Sequence, residues 1–439
     1  MTDFDVIVLG GGLSGTQAAL RAAELGGKVC LIEKEKVGKR GFLKRKILFT
    51  KWRYGNGNES IKWSEQLEKQ ERLAEEYYNG LKKKLEKAGV VLVEGEGSLA
   101  SANEILVQKA DKSELVKGNS IILAWGSEPS FSSTLPREEH VIVSIDDLAH
   151  FKSIPEKVLI VGSGKWGSEA ALGFQELGCK VFLCPNSDEI FPEMDTEFNI
   201  KVEDQLKSRK VKILYNKKII SYFKNGNDLE ITLETGIKFT TNLIVILDER
   251  KGVFQNKEVE KIGARLGNKG EILVDERMMT SIPNVYGVGS ISGKRVTDSM
   301  AKEQGKVAAE NSMGKKRQVN IELVPTTSQL SQNIGYVGCT MKSALNQGFH
   351  PVEGINTIPG FSMNADEEIF KIVADKRSKL VVGVQMISSQ VDELIPMILL
   401  LIKKGITVAN LANSFSYEET RFQGLCDAAR SCLKAMKLQ

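Results

Sequence analysis

At 439 residues, 41% of them hydrophobic and 26% charged, the chain has the balance of a soluble globular protein with room for roughly three domains. A formal charge of +4 over this length is too small for electrostatics alone to imply nucleic acid or a membrane surface as partner. An apolar strand begins by Val6 without a charged leader, and the late apolar run "IPMILLLI" at 395–402 is too short to span a bilayer, so a cytoplasmic protein is expected.

The first element, "DVIVLGGGLSGTQAALRAAELGGKVCLIEKE", reads as a strand, a glycine turn, a helix with alanines on its packing face and a second strand ending at Glu33. Gly10, Gly12 and Gly15 form GxGxxG directly after a strand and at the mouth of a helix, with Leu13 and Ser14 in the first helical turn. In that context the first glycine allows the tight turn, the second lets a pyrophosphate approach the backbone, and the third allows close helix–strand packing. Glu33, 23 residues beyond Gly10, is placed to accept hydrogen bonds from a ribose, and Lys34 follows it. The unit points to a ligand containing ADP. The next segment, "VGKRGFLKRKILFTKW" at 37–52, carries six lysines and arginines and no acid. Either it packs an apolar face inward and turns its cations to solvent, or one of the cations faces a buried anion.

"LAEEYYNGLKKKLEKAGVVLVEGEGSLAS" reads as a charged helix running into strands, and "SIILAWGSEP" as a buried strand with a turn at Gly126. A second strand–turn–helix–strand unit opens at Lys157, with Gly162, Gly164 and Gly167 as its glycines and Glu169 in the helix. The two copies are an internal repeat. Where the first copy has Glu33 the second has Pro185, so neither NAD nor NADP finds its usual ribose acceptor, and a purely structural repeat competes with a pyridine-nucleotide site. Trp166 is expected in the core.

"GEILVDERMMTSIPNVYGVGS" reads as two strands ending at Gly289 and Ser290, "AKEQGKVAAENSMGKK" as a helix, and 314–320 as a linker. From Ile321 onward two strands around a turn, the apolar helix "VDELIPMILLLIKKG" and a closing helix form an alpha+beta unit suited to burial against a partner subunit.

The six cysteines (30, 179, 184, 339, 426 and 432) form no metal-type CxxC pair and no dense disulfide framework. Cys179 and Cys184 bracket a strand, which separates their Cα atoms by roughly 16 Å, beyond the ~7 Å reach of a disulfide. They are expected to be buried thiols, and the three histidines, His140, His150 and His350, to face solvent or local hydrogen bonds.

In the order of these parts the chain resembles the pyridine nucleotide-disulfide oxidoreductases, dihydrolipoamide dehydrogenases above all. The resemblance rests on "GGGLSG" with "IEK", "GSEP" at 126–129, "GSGKWGSE" at 162–169, "GEILVDE" at 270–276, "TSIPNVYGVG" at 280–289, "IGYVGCT" at 334–340 and "VVGVQMISSQVDELI" at 381–395. It implies an α/β fold of two Rossmann-like domains, FAD- and NAD-type, followed by an α+β dimerisation domain. The implied segments are 1–152 (FAD-type, first part), 153–272 (NAD-type), 273–320 (FAD-type, return) and 321–439 (dimerisation). It implies FAD, NAD or NADP, and a homodimer. It also places Gly41 and Lys46 where the family has its redox cysteines, Glu418 and Glu419 where it has its catalytic His-Pro, and Gln423 where it has the supporting glutamate. Ser290 replaces the aspartate that holds the ribityl chain, Trp125 replaces a small hydroxyl residue in the Ala-Thr-Gly turn, and "LDERK" at 247–251 replaces the Gly-Arg-x-Pro-Asn turn. Two functions follow as expectations. One is a flavoprotein that passes electrons from NAD(P)H to a small acceptor without a disulfide relay. The other is a non-catalytic dimeric homologue with a nucleotide-binding, regulatory or assembly role. A contact of the basic segment and "GKKR" at 314–317 with RNA or an acidic partner has no aromatic-rich motif behind it.

Overall fold

The computed structural model describes residues 3–38, 63–109, 112–247, 250–252, 259–260, 262–268, 270–292, 296–360, 366–414 and 420–438. The chain divides into two compact units. One comprises residues 1–137, 143–154 and 249–321, the other residues 138–142, 155–248 and 322–439.

In the first unit Phe4–Leu9 pairs in parallel with Val29–Glu33 on one side and Ser113–Leu123 on the other. Val91–Glu94 and Val285–Gly287 extend the two flanks, again in parallel. Successive residues of "VIVL" enter opposite faces, as the period of two in a strand requires. Val6 and Val8 pack with Ala18, Ala19 and Ala22 of the helix Leu13–Glu24, whereas Ile7 and Leu9 pack with Cys30 and Ile32. A parallel sheet covered on both faces therefore reads as an unbroken apolar run. The first half of the 11-residue strand Ser113–Leu123 continues into an antiparallel meander with Glu104–Gln108 and Glu96–Ser101.

Small residues let the helix Leu13–Glu24 lie close against the helix Asp298–Ser312: a Cβ on Gly305 would collide with the Ser14 carbonyl, and Ala18, Ala308 and Ala309 are fully buried. At the edge of this contact Glu310, 5% exposed, takes Arg21 at 2.6 Å and Arg317 at 3.0 Å. Burial opposes the charge of Glu310, but the hydrogen bonds from Arg317 and Arg21 outweigh it and hold the carboxyl below its usual range. Arg317 lies in the stretch expected to be a linker; with Val319 N–H donating to the Glu276 carbonyl at 2.7 Å, that stretch is fastened down. A second difference lies between 270 and 290, where only Val285–Gly287 forms a strand. Asp275 accepts from the N–H groups of Arg277 and Met279, both at 2.9 Å, and Met278 has φ of +64°, so the chain turns where a strand was expected.

The second unit repeats the parallel arrangement in Lys157–Val161, flanked by Lys180–Cys184 and Leu243–Ile246. A three-stranded antiparallel sheet, Ile219–Asn225, Asp228–Leu233 and Lys238–Thr241, follows within it. The C-terminal part is a five-stranded antiparallel sheet in which Glu368–Asp375 and Val381–Ile387 are central; the helices Val391–Lys403 and Arg421–Leu438 share its core.

Lys371 decides how that C-terminal sheet is held. It is 1% exposed in a strand buried along its whole length, and its ammonium reaches Asp195 at 2.8 Å, Glu197 at 2.5 Å and Glu353 at 2.7 Å. Burial works to lower its pKa, but the hydrogen bonds it donates to the three carboxylates prevail and raise it. Asp195 is also gripped by Gln385, whose side chain donates to its carboxylate at 2.6 Å and accepts from its N–H at 2.8 Å. The cluster thus joins the Rossmann-like part of this unit to its C-terminal part.

Lys371→Met removes the ammonium that opposes three clustered carboxylates, and urea unfolding is expected to report a loss of about 3–5 kcal/mol. Asp375 supplies a pH test: burial alone would raise its pKa, but hydrogen bonds from the His350 and Ser378 N–H groups and the Ser378 hydroxyl bring it to about 2. A depressed folded pKa contributes stability above the unfolded value of about 3.9 and loses it as pH falls through the folded one. The slope of unfolding free energy against pH between about 4 and 2 is expected to flatten in Asp375→Asn, measured by urea titration.

Candidate functional site

Four of the expected ligand-binding segments of the first unit follow directly on the carboxyl ends of adjacent parallel strands. Gly10–Gly15 follows Leu9, Lys34 follows Glu33, Ala124–Gly126 follows Leu123, and Gly289–Ser290 follows closely on Gly287. Open α/β sheets bind ligands at this end because loops from neighbouring strands converge there and the helices point their N–H ends toward it.

The turn is shaped by contacts that only glycine permits. Gly10 has φ of +110°, and a Cβ there would collide with the Ala124 carbonyl. A Cβ on Gly15 would collide with the Gly10 carbonyl and sit 3.0 Å from the Ala124 side chain. Gly10 N–H donates to Ile32 O at 2.9 Å and Ala124 N–H to Leu9 O at 2.8 Å, which locks the turn onto the sheet. Gly12 differs from both: it precedes the helix, no side chain caps that helix, and a Cβ on it would meet nothing within 4 Å. Among the described residues nothing closes the approach to the helix N-terminus at Gly12.

Glu33 borders the same opening. One carboxylate oxygen accepts from Gly11 N–H at 2.5 Å and the other from Glu35 N–H at 3.1 Å. A carboxylate has about four acceptor sites, so capacity remains for ribose hydroxyls. An open cleft of about 740 Å³ next to it is lined by Lys34, Glu94, Glu96, Gln108 and Lys109. Lys34 pairs with Glu96 at 2.9 Å on the surface. Gly126 has φ of +79° with nothing within 4 Å of a Cβ, and Gly289, at +76°, would bring a Cβ within 2.6 Å of the Ser14 hydroxyl. Gly289 N–H donates to Gln304 at 2.8 Å, and Ser290 is half-buried in the 3-10 turn Gly289–Ser292.

At the second turn, in the other unit, a Cβ on Gly167 would lie 2.7 Å from the Gly162 carbonyl, so the same helix–strand closeness is kept. Pro185 is buried at the end of its strand. Glu169, expected beside a nicotinamide nucleotide, is 8% exposed, and one of its oxygens accepts from the Ser328 hydroxyl at 3.1 Å and the Gln329 N–H at 2.7 Å. Lys165 donates to the Thr327 carbonyl at 2.6 Å and lies 5.8 Å from the centre of the Trp166 ring, which is half-buried rather than core. Both charged side chains of this helix entrance therefore serve the strand Thr326–Ser328.

Of the positions matched to the family's catalytic groups, Gly41, Lys46, Glu418 and Glu419 lie outside the described residues. Gln423 donates to Asp427 at 3.0 Å. All six cysteines are buried and unbonded to one another. Burial pushes the thiols of Cys30, Cys179 and Cys432 up to about 12 and that of Cys184 up to about 11. The three histidines are exposed, as expected.

Sequence reasoning missed Arg250 and Asn199. Arg250 donates to the Ser127 hydroxyl at 2.8 Å, the Ser127 carbonyl at 2.7 Å and Asp146 at 3.0 Å, and so fastens the strand pair Ser127–Pro129 and Arg250–Gly252. An arginine in "LDERK", 123 residues from Ser127, carries no pattern that could have revealed this. Lys371 was better marked, as a single cation inside the apolar run "IFKIVA".

This arrangement is shared with known proteins. Residues 4–305 match the pyridine nucleotide-disulphide oxidoreductase family, and residues 324–422 match its dimerisation domain. The chain belongs to that family of FAD-binding, NAD(P)-using oxidoreductases, and its C-terminal domain supports a homodimer. It is 28% identical to the dihydrolipoyl dehydrogenase of Thermus scotoductus, over 99% of this chain and 98% of that protein. It is 25% identical to dihydrolipoyl dehydrogenase 1 of Arabidopsis thaliana mitochondria, over 97% of this chain and 89% of the relative. Among solved structures, LpdA from Mycobacterium tuberculosis superimposes with a TM-score of 0.86 at 21% identity, over 97% and 98% of the two chains. The flavoprotein disulfide reductase RclA from Escherichia coli, as a Cu(II) complex, gives 0.82 at 17%, over 100% of both chains. These structures share the fold.

The first turn fits FAD: Gly12 leaves the helix N-terminus open to a pyrophosphate, and Glu33 keeps acceptor capacity for a ribose. Gly12→Asp separates fold from binding, because its Cβ has space while its carboxylate repels phosphate. Thermal unfolding of the apoprotein is expected to shift by no more than a few degrees, and bound flavin, measured by absorbance, to fall at least about tenfold.

Proposed function

We propose that the protein is an FAD-dependent NAD(P)H oxidoreductase of dihydrolipoamide-dehydrogenase type that works without a disulfide relay. Two electrons leave NAD(P)H and reach a small acceptor, such as a quinone, which takes up protons as it is reduced. The observation that carries this reading is the placement of the thiols. No cysteine stands between Cys30 and Cys179, and all six are buried. A thiol whose pKa is pushed up to about 12 carries almost no thiolate at neutral pH, and the thiolate is the species that exchanges with disulfides.

Bound FAD supplies a carrier that accepts electrons from a nicotinamide and gives them to the acceptor. The chain's own residues bind and orient it. Gly10, Gly12 and Gly15 admit the pyrophosphate to the helix N-terminus, Glu33 accepts from the ribose, and Ser290 offers a hydroxyl to the ribityl chain in place of the family's carboxylate. Gly162, Gly164 and Gly167 receive the nicotinamide nucleotide. With no histidine at the family's catalytic position, protons for the acceptor come from solvent. Six free thiols accord with the reducing cytoplasm.

A second reading, a non-catalytic dimer with a regulatory or assembly role, is favoured by Pro185 and by the engagement of Glu169 with Ser328 and Gln329.

Purified protein is expected to be yellow, with stoichiometric FAD that NADH or NADPH bleaches under argon and a quinone reoxidises, while dihydrolipoamide gives no turnover. A colourless protein that cannot be loaded with FAD would leave the second reading. Dihydrolipoamide turnover at a rate usual for the family would overturn both.

A further inference from the structure

The two glycine turns of this chain differ in what sits on the third residue of the turn. In the first unit a Cβ on Gly12 would meet nothing within 4 Å among the described residues. In the second, Gly164 N–H already donates to the carbonyl of Ile190, a residue that is 0% exposed. Gly164 has φ of +62° and begins the helix Gly164–Glu176, so this N–H belongs to the set of helix-end donors that would otherwise meet an anion.

One buried side chain bonds the backbone next to that carbonyl. Asn199, 6% exposed in the first turn of the helix Thr196–Ser208, accepts from Phe191 N–H at 2.7 Å. Its amide donates to the Phe191 carbonyl at 2.9 Å and lies 3.4 Å from the Met194 carbonyl. Phe191 is 1% exposed and Met194 4%, so the segment is packed as well as bonded.

We propose that Asn199 sets the pyridine-nucleotide affinity of the second glycine turn, by holding residues 190–194 as an internal ligand on Gly164. Asn199 is a positioning residue: it acts through Ile190 and needs no contact with the nucleotide. The pyrophosphate of NADH or NADPH has to displace the Ile190 carbonyl, so the measured affinity is the intrinsic one reduced by the fraction of molecules in which the carbonyl has left. The proposal deepens the oxidoreductase reading of the same site and rests on it.

The test uses the full-length protein with its flavin and titrates NADH and NADPH by calorimetry. Hydrogen exchange of the peptide covering 162–170 is followed alongside. Asn199→Ala is expected to lower the dissociation constant about tenfold, the worth of one lost internal hydrogen bond, and to speed exchange of one further amide in that peptide. Asn199→Asp keeps the acceptor for Phe191 N–H and loses the donors, so it should fall between. Should Asn199→Ala fail to fold, Asn199→Asp against wild type carries the test. A folded variant with unchanged or weaker nucleotide affinity overturns the proposal, whether or not its exchange accelerates. Tighter binding with a flavin that stays oxidised supports it and ends the oxidoreductase reading instead.

Discussion

The first unit depends on one backbone contact. Gly10, Gly15 and Ala124 approach so closely that a methyl group on either glycine would collide with a carbonyl. That closeness sets the helix Leu13–Glu24 against the sheet, points its N-terminus at the ends of the strands and brings Ala124–Gly126 beside the turn. The small residues facing Asp298–Ser312 follow from the same constraint, because the helix has little room between sheet and neighbour. The site is therefore a property of how tightly three elements pack, and its chemistry enters through Glu33 and the open edge at Gly12.

The repeat in the second unit keeps the packing and changes the edge. Gly162 and Gly167 preserve the closeness, while Pro185 is buried, the Ile190 carbonyl accepts from Gly164 N–H and Glu169 accepts from the Ser328 hydroxyl. Backbone N–H groups at a helix end must find a partner, and at Gly164 in the second unit the chain supplies one. A Rossmann turn can thus persist for its mechanical value while a later segment of the chain bonds its edge.

Legibility in the sequence followed the length scale of each interaction. The strand–turn–helix units, the α/β class and the buried cysteines could be read because glycine spacing and short apolar runs are local signals: "VIVL" forms the strand expected of it, with Val6 and Val8 in one core cluster and Ile7 and Leu9 in the other. Of the two strands expected between 270 and 290 only Val285–Gly287 forms, and after Asp275 the chain turns as that side chain accepts from two N–H groups. Trp166, expected in the core, is half-exposed beside Lys165. Lys371 with Asp195, Glu197 and Glu353, and Arg250 with Ser127 and Asp146, join elements that are mostly far apart along the chain, and no periodicity encodes such pairs. Asn199 sits eight residues from its partner, yet only the fold shows why an amide is needed there.

The burial of all six thiols has a practical side. Cys30, Cys426 and Cys432 are 0% exposed, and even Cys179 and Cys184 reach only 6%. Thiol-directed electrophiles and mild oxidants meet no exposed thiol on the native molecule, so cysteine alkylation becomes a clock for local and global opening. Cys30 times the first unit, and the other five, at known depths in the second, time its Rossmann sheet and its C-terminal layer separately.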